Sequence, residues 1–155
     1  MSKTVFVNGG AGFIGHHLCI ELSKMGFSVF AIDNMQQLKF SSGNKFYSKF
    51  VDERLDSLEK SGVELLELDT RSKSYMDLLN EKRPNIIYHM SAIASAAICQ
   101  KNPDWAFNDN MVSVEKILEY VRLSNLSTRL VFSSSSVVYG NFKEDFVTEE
   151  TAINP

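Results

Sequence analysis

Three glycines near the N-terminus have a spacing that can hold a phosphate group. Gly9, Gly12 and Gly15 form a G-x-x-G-x-x-G pattern, and the apolar run Val5–Val7 leads into it. Glycines let the backbone turn sharply and approach a ligand closely, and the first N–H groups of a following helix point at an anion. Because the pattern lies between a strand-like and a helix-like segment, it predicts a phosphate-binding turn.

A carboxylate follows the second apolar segment. Asp33 comes directly after Phe27–Ile32 and stands 24 positions after Gly9 (33 − 9). A carboxylate at this place can accept hydrogen bonds from the ribose hydroxyls of adenosine, and it would repel a 2′-phosphate. No arginine occurs in the next twenty positions. An Asp after a strand can also simply form a turn, but in combination with the glycines Asp33 favours NAD over NADP.

A nucleotide triphosphate loop is the nearest competing phosphate site. Gly10 and Gly15 have the glycine spacing of G-x-x-x-x-G-K-[ST], but His16 and His17 replace the lysine and the hydroxyl residue. The sequence therefore lacks the cation for the terminal phosphates and the magnesium ligand. Hydrolysis of a nucleoside triphosphate is not predicted.

The elements that must position these residues alternate along the chain. Apolar runs predict strands over 4–7, 27–32, 63–68, 85–89 and 130–132. Helical spacing of apolar residues predicts helices over 14–25, 46–61, 72–81 and 103–124. Strands separated by helices form parallel βαβ units, so the prediction is a doubly wound α/β sheet of five strands with flanking helices. Residues 1–155 then make one domain.

Composition excludes several classes of function. The chain has 155 residues, 44% of them hydrophobic, and a net charge of −3, which argues against a general nucleic-acid binder. No apolar run reaches the ~20 residues that span a bilayer, and the N-terminus does not resemble a secretory leader, so we expect a cytoplasmic protein without membrane contact. The two cysteines and three histidines have no metal-ligand spacing.

Four ordered segments resemble the extended short-chain dehydrogenases/reductases, in particular their NAD-dependent nucleotide-sugar epimerases and dehydratases. The segments are Asn8–Gly15, Asp33–Met35, Ile86–Ala92 and Val131–Gly140. The long loop after Asp33 is most similar to that of UDP-glucuronate 4-epimerases. The resemblance spans essentially the whole chain and implies a Rossmann-like fold, the N-terminal part of such an enzyme, and a nucleotide-sugar substrate for the intact enzyme.

The resemblance also implies a role for each matching position. Backbone N–H groups of Phe13 and Ile14 would meet the pyrophosphate, and Asp33 would meet the adenosine ribose. Asn110 would pack near the cofactor, although satisfaction of its amide by backbone is an equally good interpretation. The full set of implied cofactor contacts is Gly9, Gly12, Phe13, Ile14, Gly15, Asp33, Asn34, Asp69, Thr70, Met90, Ser91, Ala92, Asn110 and Ser133.

The serine run before Tyr139 is the catalytic part of the resemblance. The family places a Ser or Thr that bonds the reacting sugar hydroxyl four positions before this tyrosine, which is Ser135 (139 − 4). The family's catalytic Tyr-x-x-x-Lys pair follows an Asn-Pro segment, and the chain stops at Asn154-Pro155. We therefore expect it to lack the catalytic base, the sixth strand and the C-terminal substrate lobe.

The sequence leaves two functions open. The first is the NAD-binding part of a nucleotide-sugar epimerase or dehydratase, inactive as a 155-residue chain. The alternative is a non-catalytic dinucleotide-binding module that regulates a partner or serves as a scaffold. In either case the fifth strand would be a bare sheet edge, and such edges invite self-association.

Overall fold

The five strands form one parallel sheet. The computed structural model describes residues 2–36, 45–124, 127–142 and 146–155. The strands are Thr4–Asn8 (β1), Ser28–Asp33 (β2), Glu64–Glu67 (β3), Ile86–His89 (β4) and Arg129–Phe132 (β5), in the spatial order β3-β2-β1-β4-β5. The chain order reverses beside β1, so this is the switch point at which open α/β sheets bind ligands. The predicted five-stranded doubly wound fold is confirmed.

Helices cover the sheet. In the described residues they are Phe13–Lys24 (α1), Lys45–Lys60 (α2), Lys73–Lys82 (α3), Ala96–Lys101 (α4), Pro103–Phe107 (α5) and Ser113–Leu123 (α6). A π-helical turn over Asn108–Val112 joins α5 to α6, and a 3-10 turn covers Ser136–Tyr139. No helix in this described part is long and apolar enough to cross a membrane.

The central strand divides the core into two layers because successive side chains of a strand point to opposite faces. Val5 and Val7 pack in one cluster with Cys19 and Leu22 of α1. Phe6, between them, packs in the other cluster with residues of β2, α3, β4 and α6. All three side chains of this run are fully buried, as expected for a parallel strand covered on both faces.

The structure differs from the predicted elements in the region before β5. A short helix, α4, occupies 96–101, which was not predicted; Ser95 caps it by accepting the Ile98 N–H. The single helix predicted over 103–124 is divided by the π-helical turn. At the end of that turn the hydroxyl of Ser113, the first residue of α6, donates to the Asp109 carbonyl. Such turns are rare insertions inside α-helices, so the apolar spacing over this region predicted one continuous helix.

Candidate functional site

A cavity of about 400 Å³ lies where β1, β2 and β4 end. This volume is within the range of small-molecule sites in proteins. Every residue predicted to touch the cofactor lines the cavity except Asn110, and predicted catalytic Ser135 does not line it either. The sheet order thus brings together segments that are far apart in the sequence.

The glycine turn forms one end of the cavity. Gly9 has a φ of +80°, a left-handed conformation that favours glycine, and its N–H donates to the Ile32 carbonyl at 2.8 Å. A Cβ added at Gly15 would lie 2.0 Å from the Gly9 carbonyl oxygen. The turn and the start of α1 can therefore approach each other this closely only with glycine at position 15. This places the N-terminus of α1 at the cavity.

Asp33 is fixed by the backbone around it. Its Oδ1 accepts the Met35 N–H at 2.9 Å, and its Oδ2 accepts the Ala11 N–H at 3.2 Å. Burial raises the pKa of this carboxyl, and the two backbone hydrogen bonds oppose that rise. Each carboxylate oxygen retains a further acceptor site. Gln36, three residues after Asp33, lines the same cavity. Its Oε1 atom is buried and has no hydrogen-bond partner within the described residues.

An ion-pair network that sequence interpretation missed forms another wall. Arg71 donates from Nε to Asp69 Oδ1 at 2.9 Å and from Nη2 to Asp69 Oδ2, and its Nη1 lies 2.5 Å from Asp109 Oδ1. Asp109 Oδ2 also accepts the Trp105 Nε1–H at 2.8 Å. The hydrogen bonds from Arg71 hold the pKa of Asp69 below its usual range, whereas burial raises the pKa of Asp109. The network connects the segment after β3 to the π-helical turn.

A second missed feature is a buried chain of hydrogen bonds beneath the cavity. The carbonyl of Asp109 can only accept, so the Ser113 hydroxyl donates to it and must itself accept from His89 Nε2–H, 3.3 Å away. His89 Nδ1 then accepts from Asn8 Nδ2 at 3.2 Å, and Asn8 Oδ1 accepts the Tyr75 hydroxyl at 3.0 Å. The geometry thus assigns the tautomer of neutral His89. Burial lowers its pKa to about 4.

Asn110 and Ser135 make local contacts. Asn110 Oδ1 accepts the Ile93 N–H at 2.8 Å and its Nδ2 donates to the Ile93 carbonyl at 3.2 Å, which favours the interpretation that backbone satisfies this amide. Ser135 Oγ accepts the Val137 N–H at 3.3 Å.

Tyr139 stands four positions before Lys143, which is the spacing of the family's catalytic pair. The Tyr139 hydroxyl donates to the Thr148 carbonyl, and the residue does not line the cavity. Lys143 is outside the described residues.

Two residues of α2, Tyr47 and Arg54, complete the lining. Arg54 stands 21 positions after Asp33 (54 − 33), one position beyond the twenty that contain no arginine. Its separation from Asp33 along the chain does not predict that Arg54 lies at the cavity. Arg54 reaches the cavity because α2 packs against α1. The sequence signal that could have indicated this is the seven-residue spacing of Tyr47 and Arg54, which places both on one face of a helix.

Comparison with known proteins now decides the family. A family model described as GDP-mannose 4,6 dehydratase matches residues 6–155. The chain belongs to this family. Rice UDP-glucose 4-epimerase 1 is 29% identical over 99% of the chain and 42% of its own length, and Arabidopsis UDP-glucuronate 4-epimerase 2 is 30% identical over 98% and 34%. These identities confirm the resemblance to nucleotide-sugar epimerases without separating glucose from glucuronate enzymes.

A solved structure agrees with the fold. UDP-glucose-4-epimerase from Stenotrophomonas maltophila, with bound NAD and formylated UDP-arabinopyranose, matches with a TM-score of 0.77 and 30% identity over 98% of the chain and 43% of its own. The chain thus spans about two fifths of the length of this relative and of the rice epimerase. The cofactor in this relative is the one that Asp33 led us to expect.

Proposed function

We propose that this chain is the NAD-binding part of a nucleotide-sugar epimerase or dehydratase. The observation that carries the proposal is the cavity in which the glycine turn, the start of α1 and Asp33 meet. The first N–H groups of α1 suit a pyrophosphate, and the acceptors of Asp33 and Gln36 suit hydroxyl groups of a ribose. The relative with bound NAD supports this choice of cofactor.

NAD supplies a hydride acceptor when it is bound, and the residues of this chain bind and orient it. Gly9 and Gly15 would keep the backbone close to the phosphates, and Asp33 would hold the ribose. Arg71 would keep the Asp69 carboxylate ionised and oriented beside the adenine. Met90 to Ala92 follow β4 and would pass beneath the cofactor.

Calorimetric titration of the chain with NAD and NADP tests the binding proposal. We expect NAD to bind at least about tenfold more tightly, because Asp33 lies where a 2′-phosphate would be repelled. Asp33→Asn should remove most of this preference, and Asp56→Asn, which removes an exposed carboxylate on α2, should retain it. Equal or absent affinity for the two dinucleotides would contradict the proposal.

The catalytic part of the proposal concerns Ser135. In an intact enzyme this hydroxyl would bond the reacting sugar hydroxyl, as the resemblance implies. We infer that the 155-residue chain does not by itself turn over a UDP-sugar, since Tyr139 is the one tyrosine of the sequence that stands four positions before a lysine, and it does not line the cavity. Incubation with NAD and UDP-glucose, followed by chromatography, should yield no epimer. NAD binding without any turnover by a chain extended to the length of its relatives would favour the non-catalytic module.

A further inference from the structure

A cation at the edge of the cavity has no role in the function proposed above. The guanidinium carbon of Arg54 lies 5.7 Å from the centroid of the Phe13 ring and 5.9 Å from that of Tyr47. Tyr47 and Arg54 are seven residues apart on α2 and therefore share one face of the helix. Aromatic rings attract the face of a guanidinium, which leaves its in-plane N–H donors directed at other partners.

Phe13 is the first residue of α1, so these contacts bring Arg54 to the N-terminus of that helix. The Phe13 side chain is 68% exposed, which leaves room for a ligand beside the pair. Arg54 also lies near His16, in the same helical turn. Burial lowers the pKa of His16, its hydrogen bond to Gly12 opposes this, and the charges of His17 and Arg54 lower the pKa further.

Two positive features therefore meet at one place. The N-terminus of a helix carries a partial positive charge, and Arg54 adds a full one. Among the described residues Arg54 forms no ion pair with a carboxylate, in contrast to Arg71 and Arg122. Positive groups brought together without a counter-charge destabilise one another, and an anion placed between them relieves that cost.

We propose that Arg54, held against Phe13 and Tyr47, binds the diphosphate of the dinucleotide. The inference rests on the proposed function and adds a side-chain cation to the backbone N–H groups of α1. A diphosphate fits better than a 2′-phosphate for two reasons: Arg54 lies against the first residue of α1, and the Asp33 carboxylate would repel a phosphate on the ribose. Arg54 is thus a binding residue that recognises the charge of the ligand.

Ligands with and without a diphosphate test this assignment. Arg54→Gln should weaken ADP-ribose binding by about tenfold to a hundredfold, because a hydrogen bond to a charged group is lost. Binding of adenosine, followed by NMR, should change by less than about twofold because adenosine carries no phosphate. Arg54→Lys should give an intermediate loss, since the charge remains while the planar donor set is lost. Lys60→Gln removes an exposed cation from the last turn of α2 and serves as the control.

Three results would overturn the assignment: unchanged ADP-ribose affinity in Arg54→Gln, an equal loss for ADP-ribose and adenosine, or a loss confined to NADP. The second result would mean that Arg54 has a purely structural role, and circular dichroism of each variant checks its folding.

Binding of inorganic pyrophosphate separates this proposal from the cofactor assignment. Pyrophosphate binding that depends on Arg54 in a chain that does not bind NAD would sustain the anion site and refute the proposed function. Absence of binding by either ligand would refute both.

Discussion

Replacement of His89 should change how the stability of this protein depends on pH. His89 is buried between Asn8 and Ser113, and its folded pKa is about 4 against an ordinary value of 6.5. Between these two pH values the unfolded chain binds a proton that the folded chain does not. Stability contributed by the neutral imidazole is therefore fully present above pH 6.5 and is lost as the pH falls to about 4. One pKa unit is worth about 1.4 kcal/mol, so the loss across this interval is roughly 3 kcal/mol.

Urea unfolding at several values between pH 7 and pH 4 measures the effect. Wild type and His89→Gln should differ in the slope of unfolding free energy against pH, and the variant should lack most of the loss assigned to the imidazole. The comparison between proteins is needed because Asp33 and Asp109, whose pKa values are raised, contribute with the opposite sign. His17→Gln, at an exposed histidine of α1, is the matched control.

The same slope in wild type and in His89→Gln would refute the reasoning. If the variant does not fold, nitrogen-15 NMR of the wild-type protein still tests the pKa and the tautomer of His89. We expect the His89 ring to titrate near pH 4 and to carry its proton on Nε2, the tautomer that Ser113 and Asn8 require. Titration near 6.5, or a proton on Nδ1, would show that the hydrogen-bond chain is assigned wrongly.

Three further predictions concern other parts of the molecule. Gly15→Ala should lower the unfolding free energy by at least about 2 kcal/mol in urea titrations, because its Cβ would lie 2.0 Å from the Gly9 carbonyl oxygen; wild-type stability would contradict this geometry. Arg71→Lys should raise the pKa of Asp69 in a carbon-13 NMR titration, since lysine lacks the planar donor pair, Nε and Nη2, with which Arg71 contacts both carboxylate oxygens; an unchanged Asp69 pKa would argue against the network. In the described residues β5 lies at one edge of the sheet, and such an edge can pair with another chain, so we expect self-association in light scattering. Phe132→Lys, at a residue of β5 that is 53% exposed, should reduce this association, and a monomer at high concentration would count against it.

The sequence predicted the features that depend on neighbouring residues. Strands, helices and the phosphate turn follow from local periodicity and from the spacing of Gly9, Gly12 and Gly15, because side-chain direction repeats every two residues in a strand and every 3.6 in a helix. The position of Asp33 at the end of β2 could be predicted in the same way, because it follows directly from the apolar run before it. Family motifs then gave most of the residues that line the cavity.

Only the tertiary structure decided which side chains face one another. Asn8 and His89 are 81 residues apart and become partners because β1 lies beside β4 in the sheet. Arg71 reaches Asp109 because the π-helical turn directs that carboxylate toward the segment after β3. Arg54 reaches α1 because α2 packs against it. Such pairs depend on strand order and helix packing, which no local pattern encodes. In this protein they bring Arg54 and Arg71 to the cavity and form the buried hydrogen bonds beneath it.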